Sequence, residues 1–329
     1  MNDSGRPVGG GATKPSFVFA WDPERPPRDL EGAVYAIGNF DGIHIGHQSV
    51  LGRTLALARA CGAPSAILTF EPHPADYFAG RPVVFRLTPP QVKRRVFEEL
   101  GFSGAVVMTF DASLAMLSAE EFVVNVLVRR LSVSAVVVGW DFHFGKGRSG
   151  NPSFLIEAGA RYGFGVEVVS KVQGGEGEAA QVVSSTLVRR ALEQGDVEGA
   201  ARALDRFYSV EGTIIGGQRL GRTLGVPTAN IALEPTNRLA HGVYAVWVRI
   251  DDRRHPGVAS FGVRPTIEIG APMLEVHILD FAGDLYGRTI GVEFVRRIRD
   301  ELKFASLGAL VAEMQRDKQI ARAMLAQMA

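Results

Sequence analysis

Cysteine is almost absent from this sequence: Cys61 is the single one among 329 residues. Disulfides and cysteine-rich metal sites within one chain are therefore excluded, and a reducing cytoplasm is the expected compartment. The apolar runs are too short to span a bilayer. The stretch 1–15 is rich in glycine and polar residues and lacks an apolar signal core, so we expect a flexible tail over residues 1–16.

Neither sign of charge is in excess, because the 36 Lys and Arg residues nearly balance the 35 Asp and Glu residues and leave a net charge of +1. Without a global basic field, tight sequence-independent binding to nucleic acid or to an anionic membrane is not expected, and neither is predicted as a partner. The composition, 46% hydrophobic and 22% charged, is that of a soluble globular protein with room for two domains. Weak self-association is left open.

The first half alternates short apolar, β-branched runs with helical patterns, which is typical of a parallel sheet covered by helices on both faces. We predict strands at 34–37, 66–70, 105–108, 135–138 and 166–169. We predict helices at 48–60, 90–100, 119–131 and 153–162, the third opened by a cap at Ser118. This is a doubly wound α/β domain, in which ligands bind beyond the carboxyl ends of the strands.

The second half begins after two short predicted helices, 185–193 and 196–204, and its pattern is different. Strands separated by Gly, Pro and Asp turns, without helical crossovers, are predicted at 209–214, 243–250, 257–261, 274–278 and 289–296. A closed antiparallel β-barrel fits best, with a final helix over 306–327 packed on it. We place the domain boundary near Asp205, which gives domains 17–205 and 206–329.

Residues 38–47, Gly-Asn-Phe-Asp-Gly-Ile-His-Ile-Gly-His, lie where the strand 34–37 turns into a helix. Glycines let the backbone approach a ligand, and the helix start presents free N–H groups to an anion. His44 and His47 can both reach one phosphate there, and imidazole can donate a hydrogen bond to a phosphoryl oxygen. A lone histidine more often packs locally, but His-x-Gly-His in this context is similar to the signature of the nucleotidyltransferase superfamily.

Three further stretches carry candidate residues, and the first two are predicted at the same edge of the sheet. In residues 71–74, two prolines stiffen a turn that holds His73. The loop 139–150 combines aromatics, glycines and two cations, which suits a flat ring with a phosphate, although an ordinary surface loop is the alternative. Residues 184–189 offer hydroxyls at a helix start with Arg189 one turn on, either a clamp for pyrophosphate or simply a helix cap.

Two stretches and one carboxylate stand out in the second half. Residues 216–223 are similar to a Walker loop, but a Walker loop must be followed by a helix, and residues 225–227 contain a proline where that helix would begin. We therefore interpret residues 216–223 as a cationic flap over phosphates or as a hairpin turn. Thr228 and Asn230 alternate on an extended segment and offer two hard oxygens to Mg²⁺. Glu275 lies between apolar strand residues, which by itself favours a solvent-facing carboxylate.

Together, the stretches 38–47, 70–74, 139–145 and 184–189, with Pro-Thr-Ala-Asn at 227–230, resemble the bacterial bifunctional riboflavin kinase/FMN adenylyltransferases, also called FAD synthetases. The resemblance covers nearly the whole chain after the tail. It implies that the first domain joins FMN to the adenylyl group of ATP and releases pyrophosphate, without a covalent enzyme intermediate. It implies that the second domain phosphorylates riboflavin with ATP and Mg²⁺.

The resemblance also implies roles for single residues. His44 and His47 would stabilise charge on the α-phosphoryl group, Thr228 and Asn230 would bind Mg²⁺, and Glu275 would be the general base that deprotonates riboflavin. The implied nucleotide- and flavin-binding residues of the first domain are Gly38, Asn39, Phe40, Asp41, His73, Asp141, Phe142, Ser184, Ser185, Thr186 and Arg189. Those of the second domain are Gly221, Arg222 and Thr223.

Two positions depart from the family pattern: Ser260 stands where asparagine is expected, and Val263 replaces a polar residue. Two other functions are the alternatives. A nucleotidyltransferase for a phosphopantetheine or a sugar phosphate would not need the Pro-Thr-Ala-Asn barrel. A regulator whose β domain senses flavin or binds nucleic acid would not need Glu275, and a nucleic-acid barrel would require a basic, aromatic strand face.

Overall fold

The apolar runs of the first half form a six-stranded parallel sheet with the order β1-β4-β3-β2-β5-β6. The computed structural model describes residues 17–174, 181–215, 228–251, 253–263 and 272–328. The strands are β1 (Val18–Trp21), β2 (Val34–Ile37), β3 (Ser65–Glu71), β4 (Gly104–Thr109), β5 (Ala135–Gly139) and β6 (Gly165–Val169). Every residue of β2 is buried, because its alternate side chains enter apolar clusters on opposite faces of the sheet.

Helices cover this sheet, and two further helices lead to the second half. They are α1 (Ile45–Cys61), α2 (Pro74–Ala79), α3 (Pro90–Glu99), α4 (Ala112–Ala115), α5 (Ala119–Glu121), α6 (Pro152–Tyr162), α7 (Ser185–Glu193) and α8 (Val197–Leu204). The chain also has 3₁₀ turns at Arg28–Leu30 and Lys146–Arg148 and a small hairpin of β7 (Gln173–Gly174) and β8 (Gln181–Val182). The predicted cap opens α5: the Ser118 hydroxyl accepts from the Glu121 N–H, and the Glu121 carboxylate accepts from the Ser118 N–H.

Six antiparallel strands of the second half close into a barrel with the order β10-β13-β12-β11-β14-β9. They are β9 (Tyr208–Ile215), β10 (Ala229–Ala232), β11 (Gly242–Ile250), β12 (Arg253–Val263), β13 (Pro272–Ile278) and β14 (Thr289–Arg299). Helix α9 (Leu307–Ala326) follows, and its Ala321 and Leu325 pack with Ala245 and Val295 on the outer face of the barrel, as predicted.

The predicted fold class is confirmed, with differences in detail, since the short elements α2, α4, β7 and β8 were not predicted. The sequence analysis missed β1 and β10, which have four residues each and, unlike the equally short but fully buried β2, are not buried along their whole length. The predicted helix 119–131 is also not α-helical throughout, since its part Phe122–Arg130 is wound as a π-helix. Such winding places one extra residue in the turn without ending the helix.

One buried cluster of side chains joins α7 and α8 to the barrel. It includes Val188 and Leu192 from α7 and Leu204 from α8, together with Tyr208 and Phe294 of the barrel. The Ala240 N–H donates to the Leu192 carbonyl at 2.9 Å, which adds a backbone contact between the two parts. The boundary near Asp205 stays a prediction, and an apolar core is continuous across that position.

Candidate active sites

The turn between β2 and α1 brings the two histidines to the carboxyl edge of the sheet. Three of its residues have positive φ angles, namely Phe40 at 49°, Gly42 at 91° and Ile43 at 44°. His44 is the N-cap of α1. A side chain at Gly46 would not fit easily, because its Cβ would lie 3.1 Å from two atoms of the His44 ring. The turn therefore presses the imidazole of His44 against the first turn of the helix.

The rings of His44 and His47 are stacked, with centroids 3.7 Å apart and planes 19° from parallel. The His47 N–H donates to Nδ1 of His44 at 3.3 Å. Because Nδ1 accepts this bond, a neutral His44 carries its proton on Nε2, which is left as a donor. Among the residues that the structure describes, the buried Nδ1 of His47 has no hydrogen-bond partner.

Both imidazoles are neutral near pH 7 in the free protein. Burial lowers the pKa of His44 to about 4, and the positive charges of Arg206 and Arg189 act in the same direction. The pKa of His47 lies well below its usual value through burial first and then through His44, Lys93, Arg206 and Arg189. Neutral donors surrounded by fixed cations form a site that favours an anion.

A cavity of about 810 Å³ opens at this edge of the sheet, and most of the residues predicted for the first site line it. They are Gly38, Asn39, Phe40, His44, His47, His73, Asp141, Phe142, Ser184, Ser185 and Thr186. Apolar rings line it too, among them Phe78, Phe110 and Trp140. His73 caps α2, and its Nδ1 accepts from the Ala75 N–H at 3.1 Å. The size and the mixed lining suit a ligand with flat rings and phosphates.

Asp41 and Arg189 are not among the residues that line this cavity, because their polar groups bind each other and the neighbouring backbone. One oxygen of Asp41 accepts from the N–H groups of Leu87 and Thr88, both at 2.9 Å. The other accepts from Nη2 of Arg189 at 2.5 Å, and Nε of Arg189 donates to the Phe85 carbonyl at 2.7 Å. These contacts clamp the turn to the segment 85–88, and direct nucleotide binding by the pair stays a prediction.

The hydroxyls at the start of α7 have partners within the protein as well. The Ser184 hydroxyl caps the helix by accepting from the Leu187 N–H at 3.2 Å, and the Ser185 hydroxyl donates to the Asp41 carbonyl at 2.8 Å. Thr186 is exposed on the same turn. The start of α7 is thus fixed against the histidine turn, with its first N–H groups at the cavity.

Sequence reasoning missed a group of charges behind the cavity. Glu71 is buried between two cations, with Oε1 3.1 Å from Nζ of Lys93 and Oε2 2.9 Å from Nη1 of Arg86. Glu71 begins the Glu-Pro-His-Pro turn, so its position was a signal, but the basic stretch of α3 reads as a solvated face. Arg206 was missed too, because it follows the last residue of the first domain and belongs to no motif.

The candidate residues of the second site lie side by side on three strands. Glu275 on β13 is directly opposite Asn230 on β10 and directly opposite Ser260 on β12. The next residues along these strands, Ile231 and Leu274, fill the core cluster. Since side chains alternate along a strand, Asn230, Glu275 and Ser260 face away from that core.

Asn230 places a buried amide oxygen at this site. Only 7% of the residue is exposed, and within the described ranges its Oδ1 has no hydrogen-bond partner. An amide oxygen buried without a partner is costly, and it is an oxygen that Mg²⁺ accepts. Thr228, two residues before it, is partly buried. The donor set therefore fits Mg²⁺.

The described residues contain no group of three or more His, Cys, Asp or Glu that could hold a metal ion. Mg²⁺ is commonly bound by one or two protein oxygens together with substrate phosphates and water, so a small donor set is no obstacle. Gly221, Arg222 and Thr223, which the sequence analysis assigned to the nucleotide, lie outside the described residues. Of the departures from the family pattern, Ser260 is the neighbour of Glu275 and Val263 ends β12.

Comparison with known proteins separates the two halves as the fold does. A family model described as FAD synthetase matches residues 27–187, and one described as riboflavin kinase matches residues 204–325. A bifunctional riboflavin kinase/FMN adenylyltransferase from Pseudomonas fluorescens is 43% identical over 296 residues, which cover 90% of this chain and 94% of that protein. The protein of the same description from Escherichia coli K12 is 40% identical over 293 residues, covering 89% of this chain and 92% of the relative.

A solved structure has the same architecture over almost its whole length. It is described as a macrolide-efflux protein from Streptococcus pneumoniae, and it is similar to this chain with a TM-score of 0.79 and 30% identity. The match covers 93% of this chain and 99% of that one. Across the described ranges, no helix combines the length and the apolar character needed to cross a membrane.

Proposed function

This chain belongs to the bifunctional riboflavin kinase/FMN adenylyltransferase family, and on that premise we propose that the two sites described above carry its two reactions. The C-terminal domain phosphorylates riboflavin to FMN with ATP, and the N-terminal domain adenylylates FMN to FAD with a second ATP, releasing pyrophosphate. The observation that carries the assignment of the first site is the stacked pair His44 and His47 in the cavity.

In adenylyl transfer, a phosphate oxygen of FMN attacks the α-phosphorus of ATP, and the bond to pyrophosphate breaks. Charge on the α-phosphoryl oxygens must be stabilised while this happens. His44 offers the Nε2–H that its Nδ1 contact leaves as a donor, and His47 is stacked against it. Catalysis is then positioning and electrostatics, without a covalent enzyme intermediate.

The cations around the pair support this assignment. Arg189, Arg206 and Lys93 lower the pKa of His47 in the free protein, so they contribute a positive potential where triphosphate would bind. An anion beside the imidazoles raises their pKa and strengthens the hydrogen bonds that they donate. The start of α7, with Ser184, Ser185 and Thr186, is the part that we assign to the outer phosphates.

The remaining residues of the cavity are assigned to the rings and to positioning. The backbone around Gly38, Asn39 and Phe40, with His73, faces the nucleotide, and the loop of Asp141 and Phe142 faces the rings of the substrates. Phe142 stacks on Phe144, with centroids 5.4 Å apart, and Phe144 pairs through its backbone with Gly150. This pairing closes the loop at its base and gives it a defined shape. Asp41 and Arg189 keep the turn and α7 together.

In the kinase domain, Asn230 and Thr228 are assigned to Mg²⁺ and Glu275 to the general base. Mg²⁺ bound there would supply charge neutralisation at the phosphates of ATP. Glu275 takes the proton from the 5′-hydroxyl of riboflavin as that oxygen attacks the γ-phosphorus, and the bond from the γ-phosphorus to the departing ADP breaks. The register of β10 and β13 supports the pairing of these roles, because it puts Asn230 and Glu275 on one face in adjacent strands.

The domain limits and the compartment complete the proposal. We assign residues 17–205 to adenylyl transfer and 206–329 to the kinase, with the tail 1–16 outside both. Both reactions consume ATP, and the single cysteine, Cys61, is exposed as a free thiol. These properties suit the reducing, ATP-containing cytoplasm.

Labelled ATP tests the two-reaction assignment directly. The purified chain is incubated with riboflavin, Mg²⁺ and ATP labelled on either the γ- or the α-phosphorus, and the flavins are separated over time. Label from the γ-position should appear first in FMN and then in FAD, whereas label from the α-position should appear in FAD alone. FAD without α-label, or FMN without γ-label, would contradict the corresponding site.

A further inference from the structure

The turn that carries His44 holds its backbone in an unfavourable conformation. Ile43 has a φ of 44° and follows Gly42 at 91°. A β-branched residue in the left-handed region is rare because its side chain collides with the backbone. Such strain persists only where the surrounding structure fixes it. The contacts that fix this turn therefore decide where the next residue, His44, lies.

Two side chains hold the carbonyl groups of this strained pair. Nη1 of Arg206 donates to the Ile43 carbonyl at 3.0 Å and to the Leu204 carbonyl at 3.2 Å, and its Nη2 donates to the Gly42 carbonyl. Nε2 of Gln48 donates to the same Ile43 carbonyl at 3.1 Å and to Leu204 at 2.8 Å. The turn is thus tied to the last residue of α8 by a fork of hydrogen bonds.

Arg206 does not belong to the first domain by sequence. It lies in the part matched by the riboflavin kinase model, residues 204–325, and two residues before β9 of the barrel begins. Packing reinforces the contact, because a Cβ at Gly42 would lie 3.5 Å from a methyl carbon of Leu204. One side chain from the start of the kinase domain therefore holds the histidine turn of the other domain.

We propose that Arg206 is a positioning residue for adenylyl transfer: it fixes the carbonyl groups of Gly42 and Ile43 and so the orientation in which His44 meets the substrate. The inference rests on the proposed role of His44, so the experiment must distinguish a failure of the Arg206 role from a failure of the His44 role. A guanidinium suits the task, since its planar fork can hold two carbonyl groups in fixed directions, which an ammonium group cannot.

The same guanidinium acts on the histidines through its charge. It lowers the pKa of His44 and His47, after burial and alongside Arg189, and Lys93 contributes at His47. Geometry and charge can therefore be separated by two substitutions. Arg206→Lys keeps the charge and loses the fork, whereas Arg206→Met loses both and retains the length of the side chain.

The experiment measures both reactions of the full-length chain in four variants: Arg206→Met, Arg206→Lys, the control Arg202→Met and the reference His44→Ala. Arg202 is exposed on α8 and provides a matched arginine. Arg206→Met should lower kcat for FMN to FAD by about 10- to 100-fold, because misplacing a reacting group has effects of that order. In Arg206→Lys, which keeps the positive charge beside the triphosphate, the KM values for ATP and FMN should stay within about twofold of wild type, since groups that bind substrate are untouched.

Riboflavin phosphorylation should be unchanged in every Arg206 variant, which a general loss of folding would not allow. Arg206→Lys should also lower the rate of FAD formation. The pKa of the histidines, read from the pH dependence of that rate, should stay at its wild-type value. In Arg206→Met that pKa should rise, because a positive charge has been removed. Arg202→Met should behave as wild type in both reactions.

A wild-type rate of FAD formation in Arg206→Met would overturn the inference and leave the role of His44 intact. A wild-type rate in His44→Ala would instead overturn the assignment of the first site. If Arg206→Met does not fold, as judged by near-ultraviolet circular dichroism, Gln48→Leu takes its place, since it removes the second donor to the Ile43 carbonyl. The inference would also be overturned if Gln48→Leu and Arg206→Lys each lowered riboflavin phosphorylation and FAD formation by the same factor.

Discussion

Asn230 and Glu275 lie directly opposite each other on β10 and β13, with both side chains on the face that turns away from the barrel core. Opposite residues of an antiparallel pair have Cβ atoms about 4.5–5.5 Å apart. An oxygen suited to Mg²⁺ and a carboxylate suited to accept a proton therefore belong to one small patch. Their roles differ, so substitutions at the two positions should fail in different ways.

Glu275→Gln should slow the conversion of riboflavin to FMN by about 10²–10⁴-fold, the range that general-base catalysis supplies. The amide keeps the size of the side chain and loses its basicity, so riboflavin should still bind. Parallel assays of riboflavin to FMN and of FMN to FAD check this, with Asp251→Asn in an exposed turn as the control. A wild-type kinase rate would mean that Glu275 is an ordinary strand carboxylate.

Asn230→Leu should leave the free energy of unfolding unchanged or raise it by about 1 kcal/mol, because a buried oxygen that has no partner among the described residues is replaced by an apolar group of similar size. Kinase activity should fall and should need more Mg²⁺, since an oxygen donor is lost. Urea unfolding and a Mg²⁺ titration of FMN formation measure the two effects. Loss of stability together with normal kinase activity would show that Asn230 is structural only.

His44→Ala or His47→Ala should stop FAD formation while FMN accumulates from riboflavin. Removal of one electrostatic group aimed at a transition state costs about 10²-fold or more in rate. The two flavins are followed by chromatography in one reaction, and His255→Ala in the barrel is the matched histidine control for the FMN-to-FAD step. Continued FAD synthesis in the double variant would remove the pair from the mechanism.

Acidification should destabilise the first domain through His44. Its folded pKa of about 4 lies below the ordinary histidine value of 6.5, so the unfolded chain binds the proton more readily and stability falls as the pH drops through that interval. Between pH 7 and pH 5 the loss is about 2 kcal/mol for this one group. Urea unfolding at both pH values measures the loss.

His44→Asn is the matched variant for this pH effect, because asparagine is a good N-cap and does not titrate. The variant should lose about 2 kcal/mol less than wild type between the two pH values. Titrating groups other than His47, whose pKa is itself lowered by His44, are common to both proteins and cancel in the comparison. Equal losses in the two proteins would show that His44 binds its proton as readily in the folded chain as in the unfolded chain.

Much of the fold could be predicted because periodic patterns report which side chains of one element are buried. The alternation of Tyr35 and Ile37 with Val34 and Ala36 belongs to a strand buried on both faces. β10 could not be predicted in this way, since it has four residues and one of them, Asn230, is polar and buried. Its burial comes from neighbouring strands that are distant in sequence.

The first site likewise contains residues that could be predicted from the sequence and residues that could not. Its histidines and the start of α7 could be predicted because they stand in short motifs, and the cavity brings them together. Arg206 and Lys93 could not, because their partners lie far along the chain: Gly42 is 164 positions from Arg206, and Glu71 is 22 positions from Lys93. A charged side chain in a sequence looks solvated until its partner is known.

The core that continues from α7 and α8 into the barrel has a consequence for recombining such enzymes. Helix α7 presents its start to the cavity beside His44 and His47, and its buried residues Val188 and Leu192 to the cluster shared with the barrel. A chimaera joined at residue 205 would set an α7–α8 surface from one parent against a barrel from another. Gene fusions that exchange only one half must therefore redesign the contact between α7–α8 and the barrel, including Arg206.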